Sequence, residues 1–287
     1  MAGDVLVVGD LLVDVVAVME GPLERASDVG ARIEMTGGGS AANTACWLAE
    51  AGAPVRLVAA VGDDVAGRTA TAGLRDAGVA FAGAVLPDLR TGTCVVLVDP
   101  AGERTMLPDR AANDALPPAV VRAALDDRPA WLHLSAYTLL HEGSRPAALA
   151  ALDGARLAGV PVSVDASSAA PLRAVGAGRF LDWVAGIDVL LANDDELAAL
   201  GGLDACRTAA RVVVAKHGPA GASWHDGAEV HEAPAVPTAV VDTVGAGDAL
   251  NAGVVAALVA GQGPADALEA GTALAARAVA TRGARPR

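Results

Sequence analysis

The chain has 287 residues, enough to bury one sizeable core. Hydrophobic residues make up 53% of it and aromatics only 2%, so alanine, valine and leucine must build that core, and intrinsic disorder is excluded. A formal net charge of −13 without a basic patch argues against nucleic acid as a partner.

The first apolar run, Val5–Met19, carries Asp10 and Asp14 and no basic leader, so it reads as neither a signal peptide nor a membrane span. In chain order, aliphatic or β-branched runs predict strands at Val5–Val8, Val55–Val61, Cys94–Val98, Trp131–Leu134, Val162–Asp165, Val189–Leu191 and Val212–Ala215. Stretches of helical period predict helices at Ala41–Ala51, Gly67–Ala77, Pro118–Leu125, Pro146–Ala158, Asp194–Leu200, Ala246–Val259 and Pro264–Ala280. The strands are continuously apolar rather than alternating. One α/β domain over residues 1–287 is therefore expected, with a doubly wound, mostly parallel sheet and helices on both faces. Two stretches, 14–35 and 91–113, hold strand-like pieces and turns but no helix; they form either a small β-sheet lid or long loops. Cys46, Cys94 and Cys206 are widely spaced and odd in number, as expected of free thiols in a reducing cytoplasm.

Four segments carry chemistry. Asp242-Thr-Val-Gly-Ala-Gly-Asp248 runs into the helix expected from Ala246. Its glycines let the backbone approach a ligand, and the free amides and positive end of the helix favour an anion. Asp248, stabilised there as a carboxylate, suits proton removal from a hydroxyl attacking a phosphoryl group. A tight turn with Asp248 as a helix cap fits the same pattern. Gly37-Gly-Gly-Ser-Ala-Ala-Asn43 opens another helix, either as a flexible turn capped by Ser40 or as a surface that hydroxyls approach closely, with Asn43 as donor and acceptor. Asp14, near that loop, can accept two hydroxyls of a polyol. Asn193 caps the helix that follows its strand, and Asp194, Asp195 and Glu196 complement the dipole. Lys216, the chain's one lysine, precedes the turn Gly218-Pro-Ala-Gly221.

The segment ending at Asp248 resembles the C-terminal signature of the ribokinase/PfkB family, Asp-Thr-x-Gly-Ala-Gly-Asp. Gly38-Gly39 with Asn43 is similar to the family's Gly-Gly-x-x-x-Asn acceptor motif, and Asn193-x-x-Glu196 and Lys216–Gly221 resemble two further motifs in the right order. The likeness runs from Val5 to about Ala284. It implies a ribokinase-like fold whose lid segments pair two copies as a homodimer. It also implies ATP-dependent phosphorylation of a sugar or nucleoside, with Asp248 as base and the amides of Gly245, Ala246 and Gly247 as anion hole. On the same ground Asp14, Gly38, Gly39 and Asn43 hold the acceptor, joined by Ser135 from the end of its strand. Asn193, Lys216, Gly218, Gly221 and Gly283 would contact ATP, Glu196 would organise Mg²⁺ through water, and the carbonyls of Asp242 and Val244 are candidates for a K⁺ site.

The departures concern the acceptor. Ser40 stands where many ribokinases have lysine, Leu12 where they have asparagine, and Val164-Asp165-Ala-Ser-Ser168 lacks the Asp-Pro-Asn-x-Arg run of fructokinase and ketodeoxygluconate kinase relatives. Arg104 and Arg110 are expected at the surface; reaching the acceptor, they would favour an acidic or phosphorylated sugar. No Gly-x-x-x-x-Gly-Lys-Ser/Thr run exists, which excludes a P-loop kinase, and no Gly-x-Gly-x-x-Gly follows the first strand, which argues against a dinucleotide-binding oxidoreductase. A catalytically silent ligand-binding protein on this fold is the competing class.

Overall fold

A computed structural model describes residues 3–227 and 229–286. The chain begins with β1 (Val5–Val8), the hairpin of β2 (Leu12–Met19) and β3 (Ala31–Gly38), and helix α1 (Ser40–Glu50). Next come β4 (Val55–Val58), β5 (Ala60–Gly62), α2 (Val65–Asp76), β6 (Ala80–Phe81) and β7 (Ala84–Leu86). A second hairpin, β8 (Thr93–Val98) with β9 (Arg104–Asp109), precedes α3 (Pro118–Asp126). Alternation resumes with β10 (Trp131–Ser135), α4 (Tyr137–Leu140), α5 (Arg145–Ala158), β11 (Val162–Asp165), α6 (Ala169–Val175), α7 (Ala177–Trp183), β12 (Ile187–Asn193), α8 (Asp194–Ala199), α9 (Leu203–Arg207) and β13 (Ala210–Lys216). Two antiparallel strands, β14 (Ala222–His225) and β15 (Val230–Ala233), and two long helices, α10 (Ala246–Val259) and α11 (Pro264–Val279), complete it.

The main sheet has nine strands in the order β15-β14-β13-β12-β11-β10-β1-β4-β6, parallel from β13 to β6. Successive β1 side chains feed two separate cores: Leu6 and Val8 pack with α3 and α5, Val5 and Val7 with α1 and α10. Both faces of the sheet are therefore dry, which is why its strands read as unbroken apolar runs. Strand order reverses between β1 and β10, and at such a switch point the carboxyl ends of the strands open a crevice. Asp10, Ser135, Asp165, Asn193 and Lys216 all lie at those ends.

The expected strand Val55–Val61 is two strands. Val58 still pairs with Val8, but beyond Ala59 the chain leaves the main sheet and Ala60–Gly62 pairs with Ala84–Leu86. Helix α2 begins where Asp64 Oδ1 accepts the Gly67 amide at 2.7 Å, and α5 stops at Gly159, whose φ of 67° is left-handed.

The stretches 14–35 and 91–113 hold strands rather than loops: a four-stranded sheet in the order β3-β2-β8-β9. Leu12, Cys94 and Val96 are buried under it, whereas Ile33, Met35, Met106 and Leu107 are more than half exposed. The Asn113 side chain pins its far end by bonding both the amide and the carbonyl of Leu11, at 3.1 and 2.9 Å. Among the described residues no helix is long and apolar enough to cross a membrane, and all three cysteines are free and buried.

Candidate active site

Helix α10 starts at Gly245, whose φ of 77° is left-handed and whose Cβ, if it had one, would lie 2.5 Å from the Ala284 carbonyl oxygen. Only glycine fits. In the loop before it the Asp242 carboxylate accepts the amides of Val244 at 2.9 Å and Gly283 at 3.0 Å, so the C-terminal tail closes onto the loop. No side chain caps the helix, and the amides of Gly245 and Gly247 carry no hydrogen bond within the described chain.

Asp248 is therefore not a cap. Its carboxylate turns to α1, where Ser40 Oγ donates to Oδ1 at 2.8 Å and Asn43 Nδ2 donates to Oδ2 at 3.0 Å. Ser40 is likewise not the cap of its own helix, because Gly39 occupies that position with a φ of 94°. The expectation that Asp248 would ionise easily in the first helical turn fails. Burial, reinforced by the charge of Asp165, pushes its carboxyl up to about 7, while Asn43, Ser40 and Lys216 pull it down. A base poised near neutrality is efficient for proton transfer at physiological pH.

Beside it lie the glycines that end β3. Asp14 is buried against Gly38, where any Cβ would sit 2.0 Å from Asp14 Oδ1, so glycine here makes room for a carboxylate. Burial pushes that carboxyl up to about 6, with the Arg285 guanidinium opposing. Gly39 lets the chain turn from β3 into α1. Ser135 is fully buried at the end of β10, where it hydrogen-bonds Ser167 at 3.2 Å rather than Asp248, Asn43 or Asp14.

On the other side of Asp248 is a cavity of about 580 Å³, lined among others by Lys216, Gly218, Gly221, Val240, Gly247 and Thr272. Its floor is polar. Lys216 Nζ donates to Asp165 Oδ1 at 2.6 Å, and this pair holds the lysine above its usual range and the carboxyl below its own. Asn193 and Glu196 form a reciprocal capping box, with Glu196 accepting the Asn193 amide at 2.9 Å and its Nδ2 at 2.8 Å. Burial raises the Glu196 carboxyl. Both of its oxygens are thus engaged by Asn193.

The surface expectation for Arg104 and Arg110 is corrected. Arg110, just past the end of β9, is buried and bridges Asp10, Asp114 at 2.6 Å and Ser144 at 3.3 Å. Arg104 reaches from β9 to Asp242 Oδ1 at 2.6 Å and ties the small sheet to the glycine loop. Sequence reasoning did not include Asp165, Ser40 or Arg285 among the site residues. Asp165 carried a signal, a carboxylate ending a buried strand, whereas Arg285 had none: it reaches Asn43 Oδ1 at 3.0 Å and the Gly38 carbonyl at 2.7 Å from the far end of the chain.

Asp248 thus follows Gly247, a lining residue of the cavity that holds Lys216, and turns its own carboxylate to Ser40 and Asn43 at the start of α1. A family model described as pfkB family carbohydrate kinase matches residues 2–287. The chain belongs to this family. As a pfkB carbohydrate kinase it is an ATP-dependent phosphotransferase with an alcohol group as acceptor. It is 36% identical over 261 residues to the ATP-dependent ribose-1-phosphate kinase of Halopiger xanaduensis, covering 87% of this chain and 82% of that protein. Against the fructokinase of Klebsiella pneumoniae it is 32% identical over 278 residues, covering 91% and 86%. The adenosine kinase of Sinorhizobium meliloti has a similar structure, with a TM-score of 0.88, 25% identity and coverage of 100% and 96%.

Proposed function

We propose that this pfkB kinase moves the γ-phosphoryl group of ATP in line to a primary hydroxyl of a small sugar, with Asp248 as the base. One observation carries the reading: Asp248 follows Gly247, which lines the 580 Å³ cavity, and its carboxylate, instead of capping α10, is held by Ser40 and Asn43 beside the Gly38–Gly39 turn. Asp14 and Asn43 orient the acceptor, with Gly38 and Gly39 giving it access to the backbone and Ser135 behind it. The amides of Gly245, Ala246 and Gly247 then stabilise the charge that develops on the transferred group, as oriented donors do in a site closed from water. Lys216, Gly218 and Gly221 line the nucleotide side; Asn193, beside Lys216 in the sheet, and Gly283, bonded to Asp242, lie outside that lining and are proposed to reach the nucleotide when it binds.

The charges fit a divalent ion. Asp165, Glu196 and Asp248 all act on Lys216, three carboxylates against one ammonium, which leaves an excess of negative charge. No group of three metal-ligating side chains occurs among the described residues, so Mg²⁺ would be held chiefly by phosphate oxygens and water, with Asn193 and Glu196 ordering that water. When bound, it offsets the charge of the phosphates. We extend the proposal to K⁺ on the carbonyls of Asp242 and Val244, supported by the tight closure of that loop on Gly283; rates in potassium against tetramethylammonium test it.

The small sheet is proposed as a lid over the acceptor. Its exposed Ile33, Met35, Met106 and Leu107 support pairing of two copies through it, which sedimentation of Met106→Glu against the wild type tests. Free, buried cysteines suit a reducing compartment, and a cytoplasmic location is proposed.

For the acceptor we put ribose 1-phosphate first, a choice supported by the name of the Halopiger relative and by the Arg285 guanidinium beside Asp14. Fructose follows from the Klebsiella relative. The deciding experiment measures ADP release from Mg-ATP with ribose 1-phosphate, ribose, fructose, sugar acids, adenosine and inosine. Turnover greatest on a sugar or sugar phosphate agrees with the proposal. Preference for a nucleoside, or acceptor binding without ADP release, overturns it.

A further inference from the structure

The C-terminal tail is fastened to the site at three points. Gly283 donates to Asp242 Oδ2 at 3.0 Å, Trp47 Nε1 donates to the Ala284 carbonyl at 2.9 Å, and Arg285 lies over the end of β3. There its Nη2 donates to the Gly38 carbonyl at 2.7 Å and its Nε to Asn43 Oδ1 at 3.0 Å. The other end of the same amide, Asn43 Nδ2, donates to Asp248 Oδ2 at 3.0 Å. Space is reserved for the guanidinium: a Cβ on Gly37 would stand 2.1 Å from Arg285 Nη1.

A guanidinium only donates hydrogen bonds and a carboxylate only accepts them, so the two neighbours of Asn43 demand one amide orientation: oxygen toward Arg285, nitrogen toward Asp248. Without Arg285 only the single bond to Asp248 itself keeps the Asn43 nitrogen on the carboxylate, and the amide oxygen is left unanchored. The Arg fork also bonds the strand carbonyl, so the constraint is two-pointed, which the single ammonium of a lysine would not reproduce.

We infer that Arg285 is a positioning residue for phosphoryl transfer: seated in the gap left by Gly37, it locks the Asn43 amide, which in turn aims and holds the Asp248 carboxylate. Arg285 acts through Asn43 and need not touch the acceptor. The inference rests on Asp248 being the base. It also gives Gly37 a role in the site, as the residue that makes room for the arginine.

The test compares Arg285→Gln, Arg285→Lys, Gly37→Ala and the double variant Gly37→Ala/Arg285→Gln in steady-state turnover across pH 5.5 to 9. Loss of a hydrogen bond to an ionised group predicts a fall in kcat of about ten-fold for Arg285→Gln and for Gly37→Ala, with a smaller change in KM. The double variant should be no slower than either single one, because both remove the same lock. Arg285→Lys should stay several-fold impaired. The groups that set the ionisation of Asp248 are Asp165, Asn43, Ser40 and Lys216. Losing the Asn43 donor removes one that favours the ionised form, so the acid limb should move to higher pH. Unchanged kcat and pH profile in Arg285→Gln, full activity in Arg285→Lys, or an effect confined to the KM of an anionic acceptor would overturn the inference. Asp248→Asn run in parallel separates the cases. If it is inactive while Arg285→Gln is normal, only the positioning role falls; if it is active, the base assignment falls first.

Discussion

Replacing Lys216 by methionine removes the ammonium and keeps an unbranched stem of similar length. In the wild type Lys216 Nζ and Asp165 Oδ1 are 2.6 Å apart, with side chains only 11% and 5% exposed. The variant leaves the Asp165 carboxylate buried without its main counter-charge. Breaking one side of a buried pair costs roughly 3–5 kcal/mol; because the lysine also borders the nucleotide cavity, we take the lower end, about 3 kcal/mol. For a chain of this size that corresponds to a fall in Tm on the order of 6–12 °C. The pH dependence follows in sign. In the wild type, Lys216 holds the Asp165 carboxyl below its ordinary value, so the pair's stabilisation is present above that value and lost only as pH falls through the depressed one. In the variant burial raises the carboxyl against only the smaller opposition of His133 and Asn251, so the penalty is full at pH 8 and relaxes as acid protonates it. Thermal denaturation followed by fluorescence at pH 8 and pH 5.5 should show the larger deficit at pH 8, and Asp165→Asn in the Lys216→Met background should recover most of it. A variant as stable as wild type at pH 8, or a deficit that does not narrow at pH 5.5, would refute the reasoning.

Three further outcomes are expected. Asp248→Asn should be more stable than wild type at pH 8, by about 1–2 kcal/mol after discounting a raised carboxyl for partial exposure. Since that carboxyl is pushed up to about 7, the advantage is greatest above 7 and fades as pH falls toward the unfolded value near 4; equal melting curves at pH 8 would contradict it. Gly245→Ala places a Cβ at 2.5 Å from the Ala284 carbonyl oxygen at a left-handed φ, so it should cost about 1–3 kcal/mol and lower turnover together, and near-wild-type values of both would count against the loop geometry. Arg104→Gln cuts the bridge to Asp242 and should raise the acceptor KM several-fold with less than about 1 kcal/mol lost in stability; an unchanged KM would remove the small sheet from the closing of the site.

Much of the fold was legible because its physics is local. Strands buried on both faces are mostly apolar throughout, and the runs Val5–Val8 and Val212–Ala215 show it. The small sheet was ambiguous because β3 and β9 are largely exposed: without a dry face, Ala31–Gly38 and Arg104–Asp109 lack the periodicity that marks a strand. The bend at Ala59 was hidden because both pieces it separates are equally apolar. In the site, glycines and Asp248 were visible since their positions in sequence are their positions in the loop. What escaped depended on long-range approach. Arg110 gives no local hint that Asp10, a hundred residues away, will bury it, and Arg285 meets Asn43 only after the sheet, both long helices and the tail have closed. The ionisation of Asp248 was misjudged for the same reason: the helix end is local, but the burial and the Asp165 charge that outweigh it are not.

The central claim is that Asp248 removes the proton from the acceptor hydroxyl. Turnover of Asp248→Asn with Mg-ATP and the acceptor best used by the wild type, alongside ATP binding by calorimetry, tests it most directly. The expected result is a loss of about 10²–10⁴-fold in kcat with ATP affinity retained. Turnover within a few-fold of wild type would contradict it.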